Sequence, residues 1–268
     1  MPERCIGVFD SGLGGLTCVK ELMKIMPKEP IVYFGDTGRV PYGSKSDETI
    51  IKYTKSDIKF LKTFNPKIIV VACGTASSIA LPVIKDELSI PAFGVIDAAA
   101  KLAIKATKNN KIGIIGTAGS IRSRAYEKRI KEENESINTV AVACPLFVPL
   151  VEAGHTKSEA ARLIAEEYLK EIKEAGVDTL ILGCTHYPLL KGIIQEVLGD
   201  KVTLIDPGNA IAGYVKEYLE ENNLFATKNG ECRFFVSDYP DDFKILASEF
   251  LEREISGEVK KIDIEKYM

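Results

Sequence analysis

Residues 179–190 read TLILGCTHYPLL, an apolar run that stops at Gly183 and delivers Cys184, Thr185 and His186 in succession. Residues 68–78, IIVVACGTASS, repeat the plan with Cys73, Gly74 and Thr75. Short continuous apolar runs bounded by turn residues are what strands buried on both faces of a parallel sheet look like. This feature constrains the chain most, because a parallel strand reaches its neighbour only through a crossover, usually a helix. Ligands of open α/β sheets sit beyond the carboxyl ends of the strands, so a Cys at each of two such ends predicts two thiols facing one pocket.

Taken in order, strands are predicted at residues 5–9, 31–35, 68–73 and 92–95, then at 111–116, 139–143, 179–183 and 202–205. Further strands are expected at 233–236 and 259–263. Helices are expected between them. One carries Leu16, Val19, Leu22, Met23 and Met26 on its apolar face. Others span 47–64, the stretch after Cys73 through 88, 120–133, 158–175 and 241–251, and two more follow the 179–183 and 202–205 strands. The alternation, in two series, predicts an α/β fold of two similar domains, each a largely parallel sheet flanked by helices. Apolar strands followed by Gly or Cys and then Thr recur at Cys73-Gly74-Thr75, Gly116-Thr117 and Cys184-Thr185, a weak hint of internal duplication. Residues 144–154, CPLFVPLVEAG, break the pattern. Pro145 and Pro149 argue against a regular helix, so a buried loop is expected there. Glu152 at its end is either a solvated acid or a carboxylate carried into a cleft.

With 268 residues, 46% of them hydrophobic, the chain can bury a substantial core. A net charge of −3 and no block of like charge give no footprint for nucleic acid. No secretory leader is visible and no apolar run approaches the ~20 residues needed to span a bilayer, so a cytoplasmic protein without a membrane segment is expected. Six cysteines without a CxxC pair suggest free thiols rather than a disulfide scaffold or zinc site.

DSGLGGLT at residues 10–17 joins the first strand to its helix. It matches neither GxGxxG nor a P-loop. It is either a tight turn or a backbone nest whose N–H groups and Ser11 hydroxyl hold a carboxylate, with Asp10 inward. The loop DTGRVPYGSKS at 36–46 either connects or forms a stiff rim at Pro41, Tyr42 and Gly43.

A thiol becomes a useful base where a helix N-terminus or a cation stabilises its thiolate. Both candidates precede a helix, His186 lies two residues from Cys184, and Asp10 is placed to reach Cys73. A Cys-His-acid hydrolase would leave the second Cys idle. A dithiol redox centre would usually show CxxC, and a metal site would need more than Cys184 and His186, with His155 the only other histidine. A binding protein without turnover is a further alternative. Two acid/base groups on opposite faces of a carbon fit the pattern best.

GVFDSGLGGLT (7–17), DTGRVPYG (36–43), VVACGTAS (70–77), CPLFVPLVEAG (144–154) and GCTHYPLL (183–190) closely resemble segments of bacterial glutamate racemase, in that family's order and across most of the chain. The resemblance implies cofactor-independent interconversion of L- and D-glutamate, supplying D-glutamate for peptidoglycan, without a metal. It implies that Cys73 and Cys184 are the catalytic thiols, assisted by Asp10, Glu152 and His186. Substrate-binding positions would be Asp10, Ser11, Tyr42, Gly43, Thr75, Thr185 and His186, with Pro41, Gly74 and Thr117 beside them. It further implies a discontinuous first domain of residues 1–97 plus 207–268, a second of 98–206, and an active site in the cleft between them. A homodimer is an open expectation. The family usually has Asn after the first catalytic Cys, where this chain has Gly74, which leaves aspartate or a substituted malonate as rival substrates.

Overall fold

The computed structural model describes residues 3–238, 243–255 and 258–268. Among the described residues ten strands form two parallel sheets. The larger has the order β10-β9-β2-β1-β3-β4, the strands being β1 (Ile6–Asp10), β2 (Ile31–Gly35), β3 (Ile68–Val71), β4 (Ala92–Gly94), β9 (Cys232–Val236) and β10 (Val259–Lys261). The smaller has the order β6-β5-β7-β8, from β5 (Lys111–Gly116), β6 (Asn138–Ala143), β7 (Thr179–Leu182) and β8 (Thr203–Ile205). Every pairing is parallel. The central strands β1, β2, β3 and β7 are buried at every residue, which is why they read as continuous apolar runs rather than alternating ones.

The strand orders locate the site. Chain order reverses where β1 lies between β2 and β3, and again where β5 lies between β6 and β7. At such a switch point the helices of successive crossovers part to opposite faces and leave a crevice at the strands' carboxyl ends. Register sets Phe9 beside Val71 and Ile115 beside Leu182, so Asp10 and Cys73 emerge at one crevice, Thr117 and Cys184 at the other.

Several elements differ from expectation, each for a local reason. The helix expected through residue 88 is broken into Gly74–Ile79, Leu81–Ile84 and a 3-10 turn Lys85–Glu87, with Pro82 in the first turn of the second piece, where its missing N–H costs least. The helix expected at 120–133 is two, Ala118–Ser123 and Ala125–Glu133, parted at Arg124 by a left-handed φ of 56°. The strand expected at 92–95 is shorter, as β4, and Asp97 lies in the first turn of the helix that follows it, Val95–Ala106. Residues 144–154 are not all loop, because Phe147–Glu152 is a short helix whose Pro149 again falls in the first turn. Its burial is partial too: Phe147 and Val151 are buried, but Leu146 is 48% exposed. In the C-terminal segment the helix is Phe243–Leu251, and residue 241 lies outside the described residues. Among the described residues no helix is long and apolar enough to cross a membrane.

Candidate active site

Cys73 stands just past β3 as the N-cap of Gly74–Ile79, its sulfur accepting from the Ala76 N–H at 3.5 Å. Cys184 stands just past β7, where the Gly183 N–H donates to the Ile115 carbonyl at 2.7 Å and extends the ladder by one residue. The two sulfurs thus leave different sheets, yet both line one cavity of about 30 Å³. Its wall also takes in Ser11, Pro41, Tyr42, Gly43, Gly74, Thr75, Thr117, Thr185 and His186. Val40 and Val148 join them without having been read as site residues in the sequence, as does Gly183, read there only as the end of its strand. Asp10 and Glu152 stand behind this wall and act on those that form it.

At the Cys73 end the thiol donates to the Ser11 hydroxyl at 3.5 Å. Asp10, expected to reach Cys73, hydrogen-bonds elsewhere: Oδ2 accepts from the Gly12 N–H at 3.0 Å and Oδ1 from the Thr185 hydroxyl at 3.4 Å, joining the two sheets. Its influence on Cys73 is through charge. Burial, and then the Asp10 carboxylate, push the Cys73 thiol up to about 12. Burial raises Asp10 as well, against the opposing pull of His186.

At the Cys184 end the partner is a cation. His186 Nδ1 lies 3.9 Å from the Cys184 sulfur and Nε2 lies 3.1 Å from Glu152 Oε1. Burial works against charge on this ring, but its bonds to Cys184 and Glu152 outweigh that and raise it to about 10. At neutral pH the ring is therefore an imidazolium, held edge-on to Phe250 with centroids 5.3 Å apart. Glu152 keeps a side chain 39% exposed, so the proton held by His186 has a route to solvent.

Between the ends, hydroxyls meet across the cleft. Thr75 Oγ1 lies 2.9 Å from Thr117 Oγ1, which in turn lies 3.0 Å from Ser120 Oγ. Thr117 caps its helix through the Ser120 N–H as Cys73 caps its own, but the third member of the weak repeat, Cys184-Thr185, leads into a 3-10 turn Tyr187–Leu190 with no side-chain cap. A Cβ on Gly74 would sit 2.5 Å from the Gly183 carbonyl oxygen. The neighbouring group filling the place of a side chain is thus the backbone of the opposite sheet, and the cleft closes there main chain on main chain. The Tyr42 hydroxyl is turned away from the cavity to Asp36 and Asp57. Asp57 was missed in the sequence, although its spacing from Ile50, Thr54, Ile58 and Leu61 puts a charge on the buried face of Asp47–Lys62.

The Asp/Glu/Hydantoin racemase family profile matches residues 16–215. The glutamate racemase of Geobacter metallireducens is 47% identical over 99% of this chain and 98% of its own. Among solved structures, a glutamate racemase isoform from Bacillus anthracis superposes with a TM-score of 0.93 at 38% identity, covering 97% of each chain. The glutamate racemase of Francisella tularensis, solved in complex with D-glutamate, does so with a TM-score of 0.93 at 40% identity, covering 99% of each chain. Likeness of this extent, joined to two thiols at two strand ends around one cavity, makes this chain a member of the Asp/Glu/Hydantoin racemase family and, within it, of the glutamate racemases.

Proposed function

We propose that this enzyme interconverts L- and D-glutamate by removing the Cα proton with one of Cys73 and Cys184 and returning a proton from the other, and that its D-glutamate serves peptidoglycan synthesis. The observation that carries the reading is the position of the two sulfurs, each just past a strand of a different sheet and both lining one cavity. A racemase must take a proton from one face of a carbon and supply one to the other, which a single fixed group does poorly. Racemisation also develops negative charge beside a carboxylate that is already anionic. Oriented N–H groups and hydroxyls at strand and helix ends favour such charge without requiring an Arg, and Ser11, Thr75, Thr117 and Thr185 supply the hydroxyls.

In this reading His186 serves Cys184 as the proton's relay, Glu152 holds His186 charged, and Ser11 serves Cys73. Asp10 acts through Thr185 and through its charge. Residues 1–97 with 207–268 form one domain and 98–206 the other, in line with the strands each sheet draws on. The cleft between them is the site. The glutamate racemase of Francisella tularensis holds D-glutamate, which supports the choice of substrate.

The test is isotopic. In D₂O without added pyridoxal phosphate or metal, product formed at early times from either enantiomer carries solvent deuterium at Cα while residual substrate stays protiated. Product that retains its original proton under initial-rate conditions overturns the two-thiol reading.

A further inference from the structure

The Tyr42 hydroxyl stands 2.5 Å from Asp36 Oδ2 and 2.8 Å from Asp57 Oδ2. A phenol carries one proton and donates to one of these oxygens. The other contact is a hydrogen bond only if a carboxyl proton lies in it. Asp36 and Asp57 are wholly buried and Tyr42 is 1% exposed, so two facing lone pairs would have neither water nor a proton between them.

The charges agree. Arg39 touches both carboxyls, Nε donating to Asp36 Oδ2 at 2.7 Å and Nη2 to Asp57 Oδ1 at 2.8 Å. One guanidinium balances one carboxylate, and two buried carboxyls sharing a site do not both ionise. The surroundings bring no second cation among the described contacts. From Asp47–Lys62 come the Tyr53 ring, 4.2 Å from the Arg39 guanidinium, and Ser56 Oγ at 2.9 Å from Nη2. From the 3-10 turn Ile264–Tyr267 comes another acid, Glu265, 3.9 Å from Arg39 Nη1.

We propose that Asp57 is a neutral carboxylic acid whose Oδ2–H donates to the Tyr42 oxygen, that Tyr42 donates to the Asp36 carboxylate, and that this two-proton relay fixes residues 36–45 as a wall of the thiol cavity. Asp36 is the ionised member because its Oδ2 receives both the Arg39 Nε–H and the shorter of the two Tyr42 contacts. Burial, reinforced by the neighbouring Asp36 charge, holds Asp57 well above the ordinary carboxylate range. Asp57 touches neither thiol. It is a positioning residue that acts through Tyr42, which lines the cavity between Pro41 and Gly43.

The experiment has a spectroscopic arm and a kinetic arm, and the kinetic arm alone rests on the racemase reading. Isotope-edited infrared spectra with carboxyl-labelled aspartate, wild type minus Asp57→Asn, show a protonated-carboxyl band at neutral pH. The Asn amide can donate to Tyr42 and accept from Arg39 as the acid does, so D57N keeps kcat/KM for glutamate within about threefold. Asp57→Ala leaves Tyr42 and Arg39 without those partners and raises KM about tenfold or more. No protonated-carboxyl band in the wild type overturns the proposal, as does a D57N loss equal to that of D57A. If D57A fails to fold, the band and the D57N kinetics still decide. If the protein has no racemase activity, the band alone decides.

Discussion

The two ends of the thiol cavity are built alike and charged oppositely. Each is a fully buried parallel strand that ends beside a switch point and releases a Cys followed by a small residue and a Thr, or directly by a Thr. Around Cys73 the groups are a hydroxyl, a backbone N–H and a nearby carboxylate, and the thiol is held protonated by burial and by Asp10. Around Cys184 they are an imidazolium and, behind it, the partly exposed Glu152. Strand topology fixes where a thiol sits, while the loops that follow fix what it can do with a proton. One end holds its proton on sulfur; the other has a second carrier beside it.

The strongest test of this pairing removes each sulfur. Cys73→Ala and Cys184→Ala each lower turnover at least about 10³-fold in both directions with the circular dichroism spectrum unchanged. Cys5, Cys18, Cys144 and Cys232 lie outside the cavity, and their Ala variants stay near wild-type activity. Near-normal turnover from either Cys73→Ala or Cys184→Ala would break the pairing.

A smaller effect sharpens the asymmetry. His186→Asn lowers kcat/KM about 10²-fold. The fall is equal in both directions because enantiomers have equal free energy, but the substrate deuterium isotope effect rises more in the direction in which Cys184 takes the proton. Glu152→Gln follows the same pattern at less than about tenfold, since a partly exposed ion pair contributes less. Stability carries the same signature. The folded value of His186, about 10, lies above its ordinary 6.5, so its stabilising contribution is complete below 6.5 and is lost as pH rises through about 10. Urea midpoints of wild type and His186→Asn, measured across that window, converge at the alkaline end. A difference that stays constant with pH would remove the charged imidazolium from the account.

The smallest effect concerns the contact between the ends. Gly74→Asn pushes a Cβ against the Gly183 carbonyl and separates the two sheets at the cleft. KM for glutamate rises about three- to tenfold and its ratio to KM for aspartate changes. An unchanged ratio from a substrate panel would mean that this closure does not set the length of the diacid.

Strand positions and the two thiols were legible in the sequence because burial on both faces and a terminal small residue leave a local signature. Ser11 was read from the turn after the first strand, and Thr75 and Thr185 as binding positions from the resemblance to glutamate racemase. Other features depend on contacts distant in sequence. Asp57 reads as one more acid on a charged helix until Arg39 and Tyr42 close over it. Gly74 reads as a missing side chain until Gly183 arrives from the other sheet. Asp10 was aimed at Cys73 by its strand, but the turn at Gly12 redirected it to Thr185. The helix breaks at Pro82 and Arg124 went unread because helical periodicity continues across them.

The smaller sheet is contiguous in sequence, whereas the larger one borrows β9 and β10 from beyond it. During synthesis, then, β5 to β8 can pair as they emerge, while His186 waits for Phe250 to pack against it. Strand β2, apolar and buried along its whole length in the finished protein, has an open edge until residues 232–236 arrive to pair with it. An unpaired apolar edge is a template for wrong partners, so this interval is the nascent chain's most exposed one. The Lys67 ammonium donating to the Leu224 carbonyl, and the Ala226 N–H donating to Glu29, draw the late segment onto that edge. The loop after β2 waits for the same late segment, since the Gly38 N–H donates to Ser237 Oγ and the Asp238 N–H to Thr37 Oγ1.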